Sequence, residues 1–208
     1  MSYRERIVER AATMFAEQGI KSIRMDDVAK SLGMSKRTLY EMFADKEELL
    51  YHSVRHLNEV QNRQSREAMQ RFEGNIVAIF EGIRGAMKVQ PTMHRILDNL
   101  QKFYPALYER IRGEMEQEHG ALLYDMIMGY IDEGLILPQT NVRLSITLLY
   151  YTTISIISMP LGKASSESVD RQELLMYAVV NFFRGISTVK GVLQIDEYFA
   201  ANGESASE

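Results

Sequence analysis

The 208-residue chain is 46% hydrophobic and 25% charged, with a net charge of −4, which is ordinary for a soluble globular protein with room for one large domain or a small one joined to a larger. It has no cysteine, which excludes a disulfide framework and any thiolate metal site. The charge is uneven: residues 1–50 hold nine Lys/Arg against nine Asp/Glu, and residues 51–208 hold fifteen against nineteen. The acidity therefore lies wholly in the second part and does not argue against an anionic partner for the first.

The amino terminus, Met1 to Arg6, is charged and no long apolar run follows it, so no signal peptide is expected and the protein reads as cytoplasmic. Ser2 and Glu5 have the spacing of a capping box, after which Ile7, Ala11, Met14 and Phe15 recur on one helical face until Gly19. A second helix is expected over Met25–Leu32, ending at Gly33. A third starts with Ser35 as N-cap and ends near Phe43. A fourth starts at Asp45, with Glu48 three residues on, and runs to about Met69. Gly74 should open a fifth helix and Pro91 should end it. Further helices are expected over 92–102, 105–118, 121–133, 141–159 and 168–190, divided at Tyr104-Pro105, Gly120, Gly134 with Pro138, and Pro160 through Ser168.

Strand alternation is nowhere sustained, and the fold class is all-α. Residues Leu144–Leu161 carry no charge, but Ser145, Thr147, Thr152, Thr153, Ser155 and Ser158 interrupt them. That pattern suits a helix covered on every side in a soluble protein better than a membrane span. The small, acidic tail, 200–208, is expected to be disordered.

Met25 to Phe43 is the informative stretch. Two short helices meeting at a sharp angle need apolar residues at fixed offsets, a small residue at the crossing and a glycine in the turn. Val28 and Leu32 supply the inward face of the first, Ala29 is the small residue, and Gly33 sits in the turn. Met34, Leu39 and Met42 close the mini-core from the second. Two ordinary core helices can match such a template by chance, and the polar residues decide between the readings. If Leu39 points inward, Lys36, Arg37, Thr38, Tyr40 and Glu41 lie on the outer faces, and the leading end presents Ser35, Lys36, Arg37 and Thr38, where a recognition helix meets base edges and phosphates. Tyr40 offers a rigid hydroxyl donor to a phosphate. Lys46, in the first turn of the next helix, opposes the helix dipole, a placement that makes sense beside a phosphate.

Asp27-Val28-Ala29, Gly33-Met34-Ser35-Lys36, Thr38-Leu39-Tyr40 and Phe43-x-x-Lys46-Glu47-Glu48-Leu49-Leu50 together resemble the amino-terminal domain of TetR-type transcriptional repressors, without a gap across residues 19–50. The resemblance implies a three-helix DNA-binding domain whose third helix enters the major groove. It also implies a carboxy-terminal helical bundle that dimerises through its last two helices and binds a small molecule. By position, Ser35, Lys36, Thr38, Tyr40 and Lys46 carry over as DNA contacts. Three positions depart from the pattern. Arg24 stands where such proteins have a capping Thr or Ser, which weakens the cap while leaving Arg24 able to reach a phosphate. Arg37 replaces a common Gly and adds a base or phosphate contact. Met42 replaces a frequent Tyr or His and suits packing.

The expected organisation is thus a helix-turn-helix DNA-binding domain at 1–50, a helical ligand-binding and dimerisation domain at 51–199, and the tail. In the second domain Met87, His94, Asn99, Phe103, Tyr104, Tyr108, Tyr124, Met128 and Tyr151 are candidate pocket residues. Whether these line a pocket or fill the core is open on sequence alone. With no cluster of Lys or Arg among them, the expected effector is hydrophobic or amphipathic with one or two polar groups. Leu149 and Ile156 on one late helix, and Leu175, Val179, Phe182 and Ile186 on the next, are the candidate dimer interface.

The competing class is an enzyme, or a helical small-molecule-binding protein with a non-functional DNA-binding module. No phosphate loop, nucleophile elbow or HExxH motif occurs, and no catalytic residue, cofactor or metal is assigned. His52 and His56 are spaced i, i+4 with Glu48 one turn earlier, but they read as a helix face rather than a metal clasp. The expected function is a bacterial regulator, a ligand-responsive repressor binding a palindromic operator in double-stranded DNA as a homodimer.

Overall fold

A computed structural model describes residues 2–87, 90–158 and 170–201. Among them are ten α-helices, α1 (Tyr3–Gln18), α2 (Met25–Ser31), α3 (Lys36–Met42), α4 (Lys46–Gln70), α5 (Ala78–Met87), α6 (Gln90–Phe103), α7 (Pro105–Asp132), α8 (Val142–Ser158), α9 (Arg171–Ile186) and α10 (Val189–Ala201). The only strand-like pairing among the described residues is one isolated antiparallel bridge, Ile136 to Ser187. The chain is all-α, as its patterning implies.

The backbone divides into two compact units, Met1–Arg66 with Gly85–Gln117, and Glu67–Arg84 with Glu118–Glu208. The first is built around one apolar core. Ile7, Ala11 and Phe15 of α1 meet Val28 and Ala29 of α2, Leu39 of α3, and Leu49, Leu50 and Val54 of α4. The same cluster takes in Met93, Ile96 and Leu100 of α6 and Leu107 and Ile111 of α7, so the three leading helices rest on later ones without a break.

Local signals place the early helices. Ser2 Oγ accepts from the Glu5 N–H at 3.2 Å while the Ser2 N–H donates to Glu5 at 2.6 Å, a reciprocal cap on α1. Gly19 ends α1 with a positive φ of 84°. Asp45 accepts from the Glu48 N–H at 2.8 Å and opens α4.

In the second unit Phe80 packs edge-on against Phe183 at 6.0 Å and beside Phe199 at 5.9 Å, with Ile76, Ile127, Leu135 and Ile195 buried in the same unit. The segment 135–137 is fastened to the α9–α10 junction by Leu137 N–H to Ile186 O and Thr188 N–H to Leu135 O, both 2.9 Å. Gly191 sits against this seam so closely that a Cβ there would lie 2.3 Å from the Leu135 carbonyl oxygen.

Four boundaries differ from the expected ones. Helix α7 runs unbroken from Pro105 to Asp132 through Gly113, Gly120 and Gly129. A lone glycine costs a helix only about 1 kcal/mol, and with no proline or capping group beside it Gly120 does not stop one. The expected helix over 168–190 ends at Ile186, where Ser187 is extended and Thr188 starts α10 by accepting from the Gly191 N–H. Pro91 lies in the first turn of α6 rather than ending a helix; its missing N–H is no loss there. Gly74 has a φ of 74° in a run of turns that delays α5 to Ala78. Ala200 and Ala201 belong to α10, and the rest of the tail is outside the described residues.

Candidate nucleic-acid interface

Helices α2 and α3 pack directly on one another. The link between them is set by Gly33 at φ 64° and by the Met34 N–H donating to Ala29 O at 3.0 Å, which is why a glycine is needed there. Leu39 is fully buried and fixes the rotation of α3. Lys36, Arg37, Tyr40 and Glu41 are consequently exposed, and Met42 is half-buried against the core.

Each candidate contact residue has a definite setting. Ser35 is the N-cap of α3: its Oγ accepts from the Thr38 N–H at 3.1 Å and lies 2.8 Å from Thr38 Oγ1. Lys36 pairs with Asp26 of α2 at 2.8 Å, a bond that raises its pKa, and its ammonium stands 5.8 Å from the Tyr40 ring centre. Arg37 is open, with an 89% exposed side chain, and pairs along its own helix with Glu41 at 2.9 Å. Arg24 is the exposed N-cap of α2. A guanidinium has no acceptor, so only the reciprocal half of that cap exists, the Arg24 N–H donating to Asp27 at 2.8 Å. Lys46 is drawn inward: its ammonium donates to the Ile20 carbonyl, and burial lowers its pKa against the opposing pull of Asp27.

Behind this face, Arg4 of α1 donates to His52 Nε2 at 3.0 Å, pairs with Glu48 at 3.3 Å and stacks its guanidinium 4.6 Å from the Phe43 ring centre. His52 also meets Tyr51 and Phe43 edge-on, so it has a packing role the i, i+4 spacing did not reveal. An open groove of about 550 Å³ beside it is lined by Asp45, Glu47, Glu48, Tyr51, His52 and Arg110. Much of its polar lining is paired: Tyr51 donates to Glu114 at 2.8 Å, and Arg110 holds Glu114 at 3.0 Å while covering the Tyr51 ring.

The candidate pocket residues are distributed over both units. In the first, Tyr104 and Tyr108 are half-buried against the core, Asn99 donates to Arg95 O at 2.7 Å, and Phe103 is exposed between Lys21 and Lys102. In the second, Tyr124, Met128 and Tyr151 are exposed. The side chains of Met87 and His94 lie outside the described residues. Apolar residues are spread around α7 rather than gathered on one side, so spacing could not tell which of its aromatics face in.

Among the candidate interface residues, Leu149, Ile156, Leu175 and Val179 are buried within the chain itself, and Phe182 and Ile186 are half-buried. The four buried residues have little surface left for a second copy, and Phe182 and Ile186 are the partly open members of the expected interface. The open apolar face of α8 is instead Leu144, Leu148, Tyr151 and Ile154, with Tyr177 exposed on α9. Both faces of α8 are apolar, so periodicity gave no reason to prefer one.

A buried Leu39, a left-handed turn glycine and an outward row of cations and tyrosine define a helix-turn-helix DNA-binding domain. Residues 7–52 match the family model described as bacterial regulatory proteins, tetR family. Those residues are similar to the amino-terminal domain of that family. A curated HTH-type transcriptional regulator of Staphylococcus aureus (strain USA300) is 43% identical over 51 residues, 24% of this chain and 28% of the relative. The matched stretch thus spans under a third of that protein's length. Solved structures extend the likeness in fold to nearly the whole chain. A transcriptional regulator from Cytophaga hutchinsonii is similar with a TM-score of 0.70 at 18% identity, over 88% of this chain and 98% of that one. A TetR-family transcriptional regulator from Marinobacter aquaeolei VT8 gives 0.63 at 16% identity, over 97% and 98%.

Proposed function

We propose that the protein is a transcriptional regulator that binds an inverted-repeat operator in duplex DNA as a homodimer and responds to a small amphipathic molecule. The observation that carries the DNA reading is the exposed outer face of α3, where Lys36, Arg37 and Tyr40 stand clear of a buried Leu39 within a tetR-type domain. Arg37 reads a base edge; Lys36 and Tyr40 hold phosphates, with Ser35 and Thr38 at the leading end of the helix and Arg24 beside it. Lys46 has donors left for a phosphate beside its bond to the Ile20 carbonyl, so its removal acts on the domain's stability as well as on DNA.

The dimer reading rests on the open apolar face of α8. Leu144, Leu148 and Tyr151 follow one another at i, i+4, i+7, and Leu148 and Tyr151 are 59% and 63% exposed. A second copy presenting the same face would cover them. The effector acts by favouring a conformation in which two recognition helices no longer match successive major grooves, since a ligand with equal affinity for both states shifts nothing. Its action is binding without catalysis. A regulator of this kind acts where the DNA is, in the cytoplasm; among the described residues no helix is long and apolar enough to cross a membrane.

Fluorescence anisotropy with labelled duplex DNA tests the reading. Binding should weaken steeply with salt, and substituting Lys36, Arg37 and Tyr40 together by Ala should flatten that dependence. Unchanged binding by the triple variant would refute the role given to α3.

A further inference from the structure

Asn58 lies in the middle of α4 and is 1% exposed, yet among the described residues neither its Oδ1 nor its Nδ2 has a hydrogen-bond partner. Buried side-chain amides are almost always paired, because desolvating two donors and an acceptor without compensation is costly. An intrahelical solution is used elsewhere in the chain. Ser53, also buried on α4, donates to Leu49 O at 2.7 Å. Asn99 on α6 and Asn181 on α9 each donate to the carbonyl four residues back, at 2.7 and 2.8 Å. Asn58 does not.

Apolar and polar residues both flank it on α4: Val54 and Leu57 precede it, and Arg55, Gln61 and Asn62 stand one turn to either side. Asn58 sits one turn beyond Val54 on the same face of α4, and Val54 belongs to the cluster that includes Met93, Ile96, Leu100 and Ile111, with Leu57, Leu97 and Met115 packed against it. Met93 and Met115 are unbranched and can shift to admit a guest.

We infer that Asn58 is the polar anchor of a small-molecule site inside the first unit, and that the ligand carries a carboxamide or lactam on an apolar body. Such a group offers one acceptor beside one donor and so matches a side-chain amide in both directions. A carboxylate offers only acceptors and an ammonium only donors, so each matches the amide in one direction only. This deepens the effector reading and rests on it. Asn58 is in the helix that begins directly after α3, so a guest there bears on the helix that supports the recognition helix.

The test uses thermal unfolding of the full chain with four probes sharing one tail: octanamide, octanoate, octylamine and octanol. Octanamide should raise the melting temperature more than the other three, and Asn58→Leu should abolish that rise. Without probe, Asn58→Leu should itself melt about 2–4 °C higher than the parent, since it removes an unpaired amide at nearly constant volume. A lower melting temperature for Asn58→Leu would mean that internal water already satisfies the amide, and would overturn the assignment. An octanamide response that persists in Asn58→Leu, or a response no larger than that to octanoate, would also overturn it. Operator affinity is read alongside. A shift that depends on Asn58 but leaves DNA binding unchanged keeps the anchor and refutes only the effector reading.

Discussion

Arg4, Glu48 and His52 give the DNA-binding unit a proton-dependent contact. Burial, and then the Arg4 charge, lower the His52 pKa from its ordinary 6.5, and the neutral ring accepts from Arg4 at 3.0 Å. As pH falls below 6.5 the unfolded chain takes up this proton first, so stability declines between the unfolded and folded values and levels off below the folded one. The gap in melting temperature between the parent and His52→Gln should therefore change between about pH 7.5 and about pH 5.5; a gap independent of pH would contradict the coupling. Arg37, open and paired along its own helix with Glu41, is the residue proposed to read a base. Arg37→Ala should cost on the order of 1–3 kcal/mol at the preferred site and relax preference at one or two positions. Uniform loss over all sequences would make it a phosphate contact. Lys46→Ala should lower the melting temperature as well as DNA affinity, because the amine closes the Ile20 carbonyl.

At the scale of elements, the caps at Ser2, Ser35 and Asp45 and the turn at Gly33 were legible because each acts within four residues of itself. Contacts that join distant segments were not. Nothing near Gly191 in sequence announces that its hydrogen faces the Leu135 carbonyl, and nothing near Ser187 announces that the helix must break there to bond with 135–137. Gly191→Ala should consequently destabilise the protein by about 1–3 kcal/mol through displacement of that seam, measured by denaturant unfolding; a variant as stable as the parent would show that the seam yields freely. The amphipathic α1 revealed its inner face by spacing, whereas α7 and α8, apolar on more than one side, did not. Hence four of the six candidate interface residues are ones the chain buries itself, and the candidates Tyr124 on α7 and Tyr151 on α8 are exposed while Tyr108 on α7 is half-buried. Asn58 was missed because a polar residue within a helix carries no local mark of burial.

For the whole molecule, the sequence conveyed the class of protein through about 50 residues, and the remainder through helical content alone. In the proposed homodimer, assembly supplies the link between the two recognition helices, which must stand about 34–36 Å apart to enter successive major grooves. Leu148→Asp places a charge at the centre of the open α8 face and should convert the dimer to monomer in sedimentation, with a parallel loss of operator affinity. A Leu148→Asp protein that sediments as a dimer would move the interface elsewhere. The central claim is that α3 reads sequence in duplex DNA, and selection of bound fragments from a random double-stranded pool tests it most directly. Enrichment of an inverted repeat whose half-sites are centred about one helical turn, or a whole number of turns, apart is expected, with its loss in the Lys36, Arg37 and Tyr40 triple-Ala variant. A pool that remains random after repeated rounds with the parent protein would contradict it.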